Sequence, residues 1–157
     1  MSNDKVAATF HPGTSKARRW TVAVDVPWAT EVVSMNARSH WTNTHRQIQA
    51  LRARGAAVAR SAIPPMPHFD KATVVVYMLF PDRRRRDIQN YHKTLKALID
   101  GMVDAGLLPD DDSQHLFGFD VRTWIQGIDE DVDAHIKLHD AMRPTLSLVF
   151  VFEGFMQ

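Results

Sequence analysis

Two short apolar runs, Thr73 to Phe80 and Leu146 to Phe152, constrain the fold of this chain more than any other feature. Both are rich in β-branched and aromatic residues, which is typical of strands at the centre of a sheet. Both are far shorter than the ~18 residues needed to span a bilayer, and the N-terminus has no apolar signal region. The runs therefore predict a sheet-based domain with no membrane segment, and the cytoplasm is the default compartment.

The other patterns complete an α+β domain with a mixed sheet and two main helices packed on it. Period-two alternation indicates a further strand near the N-terminus, and spacings of three and four indicate two helices, the first of them basic. Asp87 is a favourable N-cap for the second helix, and Gly106 is a plausible residue to end it. The additional predicted elements are a strand at Trp20 to Val26, a helix at Thr44 to Ala62, a helix from Asp87 to Ala105 and a strand at Leu116 to Ile125.

The sequence predicts one domain over residues 18–157, preceded by a flexible tail over residues 1–17 in which Ser, Asn, Thr, Gly and Pro follow no periodicity. The chain of 157 residues has no cysteine, which excludes disulfides and thiolate zinc sites. Any metal must then be held by carboxylates or imidazoles, and this favours Mg²⁺ or Mn²⁺.

The formal net charge of +1 conceals a strong division along the chain. Residues 1–96 hold 16 Lys and Arg against 6 Asp and Glu, whereas residues 97–157 hold 3 against 12. A chain divided in this way can present a cationic surface to nucleic acid and keep an acidic site elsewhere. Two mutually attracting halves with no polyanionic partner are the alternative.

Four consecutive arginines, Arg83 to Arg86, lead directly into Asp87, and a second acidic group, Asp110 to Asp112, follows after one helical segment. Hydrolysis of a nucleic-acid backbone needs cations that hold phosphates beside carboxylates that hold a divalent metal. A straight helix would keep the two acidic groups ~30 Å apart. A break near Gly101 or a second subunit could bring them together, and sequence alone does not choose. Each group also has a simpler explanation, as a helix cap, a solvated turn or a cationic strand end.

The segment from Arg83 to His115, RRRRDIQNYHKTLKALIDGMVDAGLLPDDDSQH, resembles the core signature of the RusA family of Holliday junction resolvases. In that signature an Asp-x-Asp-Asn element is followed by a lysine, an aspartate, an Ala-Gly pair and paired aspartates. A weaker similarity covers residues 35–52, MNARSHWTNTHRQIQALR. The resemblance implies a RusA-like fold and a small homodimeric, Mg²⁺-dependent endodeoxyribonuclease of phages and prophages. Such an enzyme cuts four-way DNA junctions in recombination and repair, in the cytoplasm of a prokaryotic or phage-infected cell.

Carried over by position, the resemblance implies that Asp87 and either Asp111 or Asp112 are catalytic and hold the metal. Asp100 is expected as a further metal ligand. The catalytic lysine is ambiguous. Lys93 has the family's distance from the first aspartate, whereas Lys96 has the family's distance from the aspartate that follows it. A three-residue insertion reconciles the two spacings and favours Lys96, which would stabilise the charge that develops at phosphorus.

The chain departs from the family pattern at Gln89, which occupies the place of the second aspartate. An amide oxygen can coordinate a metal, but the loss of one negative charge is expected to weaken Mg²⁺ binding. Asp82 or Asp100 could compensate. The alternatives to a junction resolvase are therefore a catalytically weakened protein that binds branched DNA, and a nuclease for flaps or other branched DNA.

DNA binding is predicted along a track of cations that contact phosphates, with an aromatic pair that could stack on bases opened at a junction. Symmetric cutting of a four-way junction needs two sites related by a two-fold axis, so a homodimer is expected. The predicted DNA-binding residues are Arg83, Arg84, Arg85, Arg86, Asn90, Lys93, Arg38, His40, Trp41 and Arg46, with Arg52 extending the track.

Overall fold

The computed structural model describes residues 8–12, 17–28, 32–34, 41–138 and 145–157. They form a single α+β domain with one mixed five-stranded sheet, which confirms the predicted fold class. In chain order the elements are β1 (Ala8–Pro12), β2 (Ala17–Pro27), α1 (Trp41–Ser61), β3 (Phe69–Leu79), a 3₁₀ turn (Ile88–Tyr91), α2 (His92–Asp104), β4 (Leu116–Thr123), α3 (Glu130–Leu138) and β5 (Thr145–Met156).

The strands lie in the order β1-β2-β5-β3-β4. The apolar strand β5 pairs antiparallel with both neighbours, so that Phe150 lies between Val22 on β2 and Val76 on β3. β3 and β4 are parallel, and the crossover between them contains the 3₁₀ turn and α2. This crossover positions the candidate site, because the arginine run precedes α2 and the acidic turn follows it.

The two faces of the sheet are covered by different helices. α1 and α2 pack on the face that carries Trp20, Phe150 and Phe152, all fully buried. α3 packs on the opposite face through Val132 and Ile136. Side chains of a strand alternate between the two faces, so the same strands supply both cores.

Two glycines allow α1 and α2 to approach each other closely. A Cβ atom on Gly55 would lie 2.1 Å from the carbonyl oxygen of Leu98, and a Cβ atom on Gly101 would lie 1.9 Å from that of Arg52. No larger residue fits at either position while the backbones stay where they are. The close crossing brings the basic surface of α1 next to the acidic end of α2.

Several sequence expectations are corrected by the structure. Ala8–Pro12 pairs with β2, with Ala8 opposite Val22, and Ala17 is the first residue of β2, so the prediction of a flexible tail over residues 1–17 is wrong for these six residues. α3 forms in a stretch that the sequence patterns leave unassigned. The second predicted helix begins with a 3₁₀ turn before α2, although Asp87 is its N-cap as expected. Within the described residues, no helix combines the length and the apolar character needed to cross a membrane.

Candidate functional site

The acidic turn after α2 is folded back against the helix by a Schellman motif. Gly106, with φ of 104°, donates its N–H to the carbonyl of Val103 at 2.9 Å, and Leu107 donates to Met102 at 3.1 Å. Leu107 is fully buried and anchors the reversal. The prediction that Gly106 ends the helix is confirmed. α2 is continuous through Gly101. The suggestion that a helix break near Gly101 lets the chain fold back is therefore wrong.

The returning chain forms a cluster of Lys96, Asp100 and Asp111. Lys96 Nζ donates to Asp100 Oδ1 at 2.5 Å, one turn further along α2, and also to Asp111 Oδ2 in the acidic turn. The three side chains are 46%, 25% and 31% exposed, so the cluster lies at the surface but is partly shielded from water. One chain therefore brings an acidic-turn carboxylate to the lysine without a second subunit.

The electrostatics of the cluster distinguish its two carboxylates. The ammonium of Lys96 is the main cause that lowers the pKa of Asp111 to about 2, and the hydrogen bond from Asp100 adds to it. Burial raises the pKa of Asp100, against the opposing effect of Lys96, and the neighbouring Asp111 raises it further. Asp111 is thus firmly ionised at neutral pH, and Asp100 is the first of the pair to take up a proton when the pH falls.

A polar pocket of about 370 Å³ opens beside this cluster, between α1, α2 and the acidic turn. Arg52 enters it from α1 and forms a two-pronged ion pair with Asp104, with Nε–Oδ2 at 2.5 Å and Nη2–Oδ1 at 2.7 Å. The ion pair raises the pKa of Arg52, to which the more distant Asp100 and Asp111 also contribute. The pocket thus combines one guanidinium with several carboxylates. Its lining residues are Arg52, Asp100, Val103, Asp104, Pro109, Asp110 and Asp111.

Asp87 is not bonded to this cluster within the described residues. It is exposed, and its Oδ1 accepts the backbone N–H of Gln89 at 3.0 Å, which caps the 3₁₀ turn. Between Asp87 and Lys96 the chain completes the 3₁₀ turn and the first turn of α2, a path on the order of 15 Å. This is about half of the separation expected for the two ends of a straight helix. No hydrogen bond or ion pair among the described residues joins Asp87 to the lysine or to its two carboxylates.

The carboxylates of the site are an incomplete set of ligands for a hard cation. In the part of the chain that the structure describes, no three His, Asp or Glu side chains are arranged to hold one metal ion together. Asp100 and Asp111 supply two carboxylates on one side of α2. Mg²⁺ commonly binds through one or two carboxylates, with water and substrate phosphates as its other ligands. Both carboxylates are bonded to the Lys96 ammonium, and they do not form a closed cage of protein ligands. A cation held by this pair would need water and phosphate as its other ligands.

The four arginines of the run are not equivalent. Arg83, Arg84 and Arg85 are exposed, and the side chain of Arg84 is 85% accessible. The side chain of Arg86 is only 10% accessible, and its Nη1 donates to Asp82 Oδ1 at 2.6 Å. Its guanidinium also lies over two aromatic rings, 4.6 Å from the centroid of Trp28 and 5.2 Å from that of Phe80. The first three arginines can contact a polyanion. Arg86 instead packs the arginine run against the domain.

The remaining predicted residues differ in position. Asp112 is exposed and accepts the N–H of Gln114 at 3.0 Å, so its carboxylate shapes its own turn and is not bonded to Lys96. Arg46 and Lys93 are exposed on helices, and Asn90 is half-buried in the 3₁₀ turn. Arg38 and His40 lie outside the described residues. Trp41 is the first residue of α1, and its side chain lies outside the described part of the chain.

One buried contact near the site was missed by the sequence reasoning. The hydroxyl of Thr94 accepts the N–H of Val33 at 2.8 Å and donates to the carbonyl of the same residue at 2.9 Å. This reciprocal bond ties residues 32–34, just ahead of the N-terminal segment that the resemblance covers, to the first turn of α2. A threonine two positions before Lys96 carries no signal in sequence, because its partner is a backbone 61 residues away.

Comparison of the chain with models of known protein families gives no match, and comparison with functionally characterised proteins gives none either.

Proposed function

We propose that this protein is a Mg²⁺- or Mn²⁺-dependent endodeoxyribonuclease that cuts four-way junctions and related branched DNA. The observation that carries the proposal is the cluster of Lys96, Asp100 and Asp111. It joins an ammonium and two carboxylates at the positions where the resemblance to the RusA family expects the catalytic groups. The exposed arginines 83–85, ahead of α2, supply cations for the DNA backbone.

Lys96 is suited to contact a phosphoryl oxygen. Burial disfavours its charge, but the hydrogen bonds with Asp100 and Asp111 outweigh burial, so its pKa is raised and it stays charged at neutral pH. An ammonium has three N–H donors, and the two carboxylates take two of them. The third remains for substrate. We infer that Lys96 stabilises negative charge on the phosphoryl group as it develops.

The two carboxylates are the proposed ligands for the metal. Mg²⁺ bound there would polarise the phosphoryl oxygens and make a water ligand more acidic. Asp111 enters this role already ionised, because its pKa is about 2. Asp100 is partly shielded from water and holds Lys96 in position. Asp87, an exposed carboxylate one turn ahead of α2, is proposed as a further catalytic metal ligand, as the resemblance implies.

The test is cleavage by the full chain. Purified protein is incubated with labelled four-way, flap and linear duplex DNA, with and without Mg²⁺ or Mn²⁺. We expect metal-dependent cutting of the branched substrates, and its loss in Asp87→Asn and Asp111→Asn with binding largely intact. Glu130→Gln, an exposed carboxylate change on α3, is the matched control and is expected to cut normally. Absence of cutting by the unmodified protein with every substrate and both metals would refute the proposal.

A second candidate is a protein that binds branched DNA and cuts it poorly. It is favoured by Gln89, an uncharged amide at the place of an expected aspartate, and by the two-carboxylate donor set. Both candidates predict an affinity that falls steeply with salt, because both use exposed arginines. Only the cleavage assay separates them.

A further inference from the structure

β4 forms one edge of the sheet, and its outer side has no partner strand among the described residues. Most of its side chains are exposed or only partly buried. The outer side of an edge strand presents unpaired N–H and C=O groups, which can pair with another strand. β4 contains neither proline nor lysine, two residues that often block such pairing, and its bulge lies before Phe119. Among the described residues, the edge over residues 119–123 is therefore without a partner strand.

The direction of the backbone groups along β4 follows from one hydrogen bond. Trp124 donates its N–H to the carbonyl of Met78 on β3 at 2.9 Å. Backbone groups of successive residues point to opposite sides of a strand, so those of Asp120 and Arg122 also face β3. The residues whose backbone groups face outward are Phe119, Val121 and Thr123.

These outward groups are self-complementary. In an antiparallel pair with a two-fold axis at Val121, this residue faces its own equivalent, and Phe119 faces Thr123 of the second copy. Each of these is a position at which two residues exchange both backbone hydrogen bonds. The axis also puts Asp120 of each copy opposite Arg122 of the other. These are non-hydrogen-bonded pairs, in which the side chains of the two strands are closest.

The charges agree with this register. Asp120 and Arg122 are 69% and 54% exposed, and their side chains lie 3.7 Å apart within one strand. Asp120 can therefore pair with Arg122 of a second copy instead of with Arg122 of its own strand. Opposite charges directly across a strand pair are favourable, and like charges are not.

We propose that β4 is the surface on which a second copy of this chain binds, in antiparallel pairing about Val121 that continues the sheet through both copies. A two-fold axis of this kind is perpendicular to the sheet, so α2 of both copies lies on the same side. The inference rests on the edge strand and does not depend on nuclease activity. It would place two copies of the candidate site on one face, as a symmetric substrate requires.

Charge reversal tests the register. Sedimentation equilibrium of the full chain is expected to show a dimer. Asp120→Arg and Arg122→Asp each replace two attractive cross-strand pairs with two repulsive ones, and each should weaken dimerisation at least about tenfold. The double variant Asp120→Arg/Arg122→Asp restores opposite charges and should restore the dimer. An equimolar mixture of the two single variants should form a heterodimer. Arg60→Asp, at an exposed position on α1, is the matched control and should dimerise normally.

A second measurement follows the backbone. Amide exchange of Val121 should slow as the protein concentration rises, because its N–H becomes bonded in the dimer, whereas the N–H of Arg122, directed at β3, should not change. Circular dichroism shows whether each variant is folded. A monomeric unmodified protein, single reversals that dimerise normally, or a double variant that fails to recover would each overturn the proposal. Cleavage of branched DNA by a monomer would overturn this inference alone, and a dimer without cleavage would overturn the proposed function alone.

Discussion

Lys96 donates to Asp111, a residue fifteen positions later in the chain, although a complete helix end and a chain reversal separate them. The contact exists because the Schellman motif at Gly106 sends the chain back along α2. It places a carboxylate from beyond the end of α2 on the same side of the helix as Asp100. The acidic turn does not have to reach the far end of the helix, because it returns to the helix's middle.

Replacing Lys96 by methionine tests the role of this contact. Methionine keeps much of the side chain's length and removes its charge, so we expect single-turnover cutting to fall at least ~100-fold. DNA affinity should change little, because several other cations remain. The two carboxylates would also lose their shared counter-ion, and the pKa of Asp111 should rise towards its ordinary value in an NMR titration. Unchanged cutting by this variant would remove Lys96 from the mechanism.

The acidic turn offers a comparison between neighbouring residues. Asp111 accepts from Lys96, whereas Asp112 accepts the N–H of Gln114 and lies 4.0 Å from Nε2 of His115. We expect Asp111→Asn to lose metal-dependent cutting and Asp112→Asn to retain most of it, with similar junction affinity for both. Both changes remove one negative charge from the same turn, so each controls for the other. The opposite ranking would assign the catalytic role to Asp112.

The fold was largely predictable from sequence, and the site was predictable only in part. β3 and β5 follow from continuous apolar runs, and the end of α2 follows from a glycine after the last apolar position. The contact of Lys96 with Asp111 depends on the burial of Leu107, which no local pattern specifies. Arg86 cannot be told from Arg83 in a run of identical residues, because the distinction lies in the aromatic rings of Trp28 and Phe80.

Two arginines of the run should therefore respond differently to removal. Arg84 is exposed, so Arg84→Ala should weaken DNA binding and reduce the slope of log affinity against log salt by about 0.9. Its effect on stability should be small. Arg86→Ala removes a guanidinium packed on two rings and should lower the free energy of unfolding by about 1–2 kcal/mol. Urea unfolding and salt-dependent binding measured on both variants distinguish the roles. Equal behaviour in both assays would contradict the assignment.

The ion pair between Asp82 and Arg86 should make stability depend on pH. The hydrogen bond from Arg86 is the main cause that lowers the pKa of Asp82 to about 2, with the N–H of Arg84 as the next contribution, against an ordinary value of 3.8. A carboxyl whose folded pKa is depressed stabilises the fold above its unfolded pKa and loses this contribution as the pH falls. The stability difference between the unmodified protein and Asp82→Asn should thus be constant above about pH 5 and shrink between about pH 4 and pH 2. Urea unfolding of both proteins across this pH range measures the stability difference. A difference that does not change with pH would show that the ion pair contributes nothing to stability.

The close crossing of α1 and α2 predicts non-additive effects of two glycine substitutions. Gly101→Ala would put a Cβ 1.9 Å from the carbonyl oxygen of Arg52, and Gly55→Ala would put one 2.1 Å from that of Leu98. Neither backbone can yield alone, so each change should force the helices apart and lower the free energy of unfolding by at least about 2 kcal/mol, in spite of alanine's better helix propensity. One separation relieves both clashes, and the double variant should therefore cost less than the sum of the single ones. Urea unfolding of the three variants gives the comparison. A gain of stability in either single variant, as helix propensity alone predicts, would show that the helices are not in this close contact.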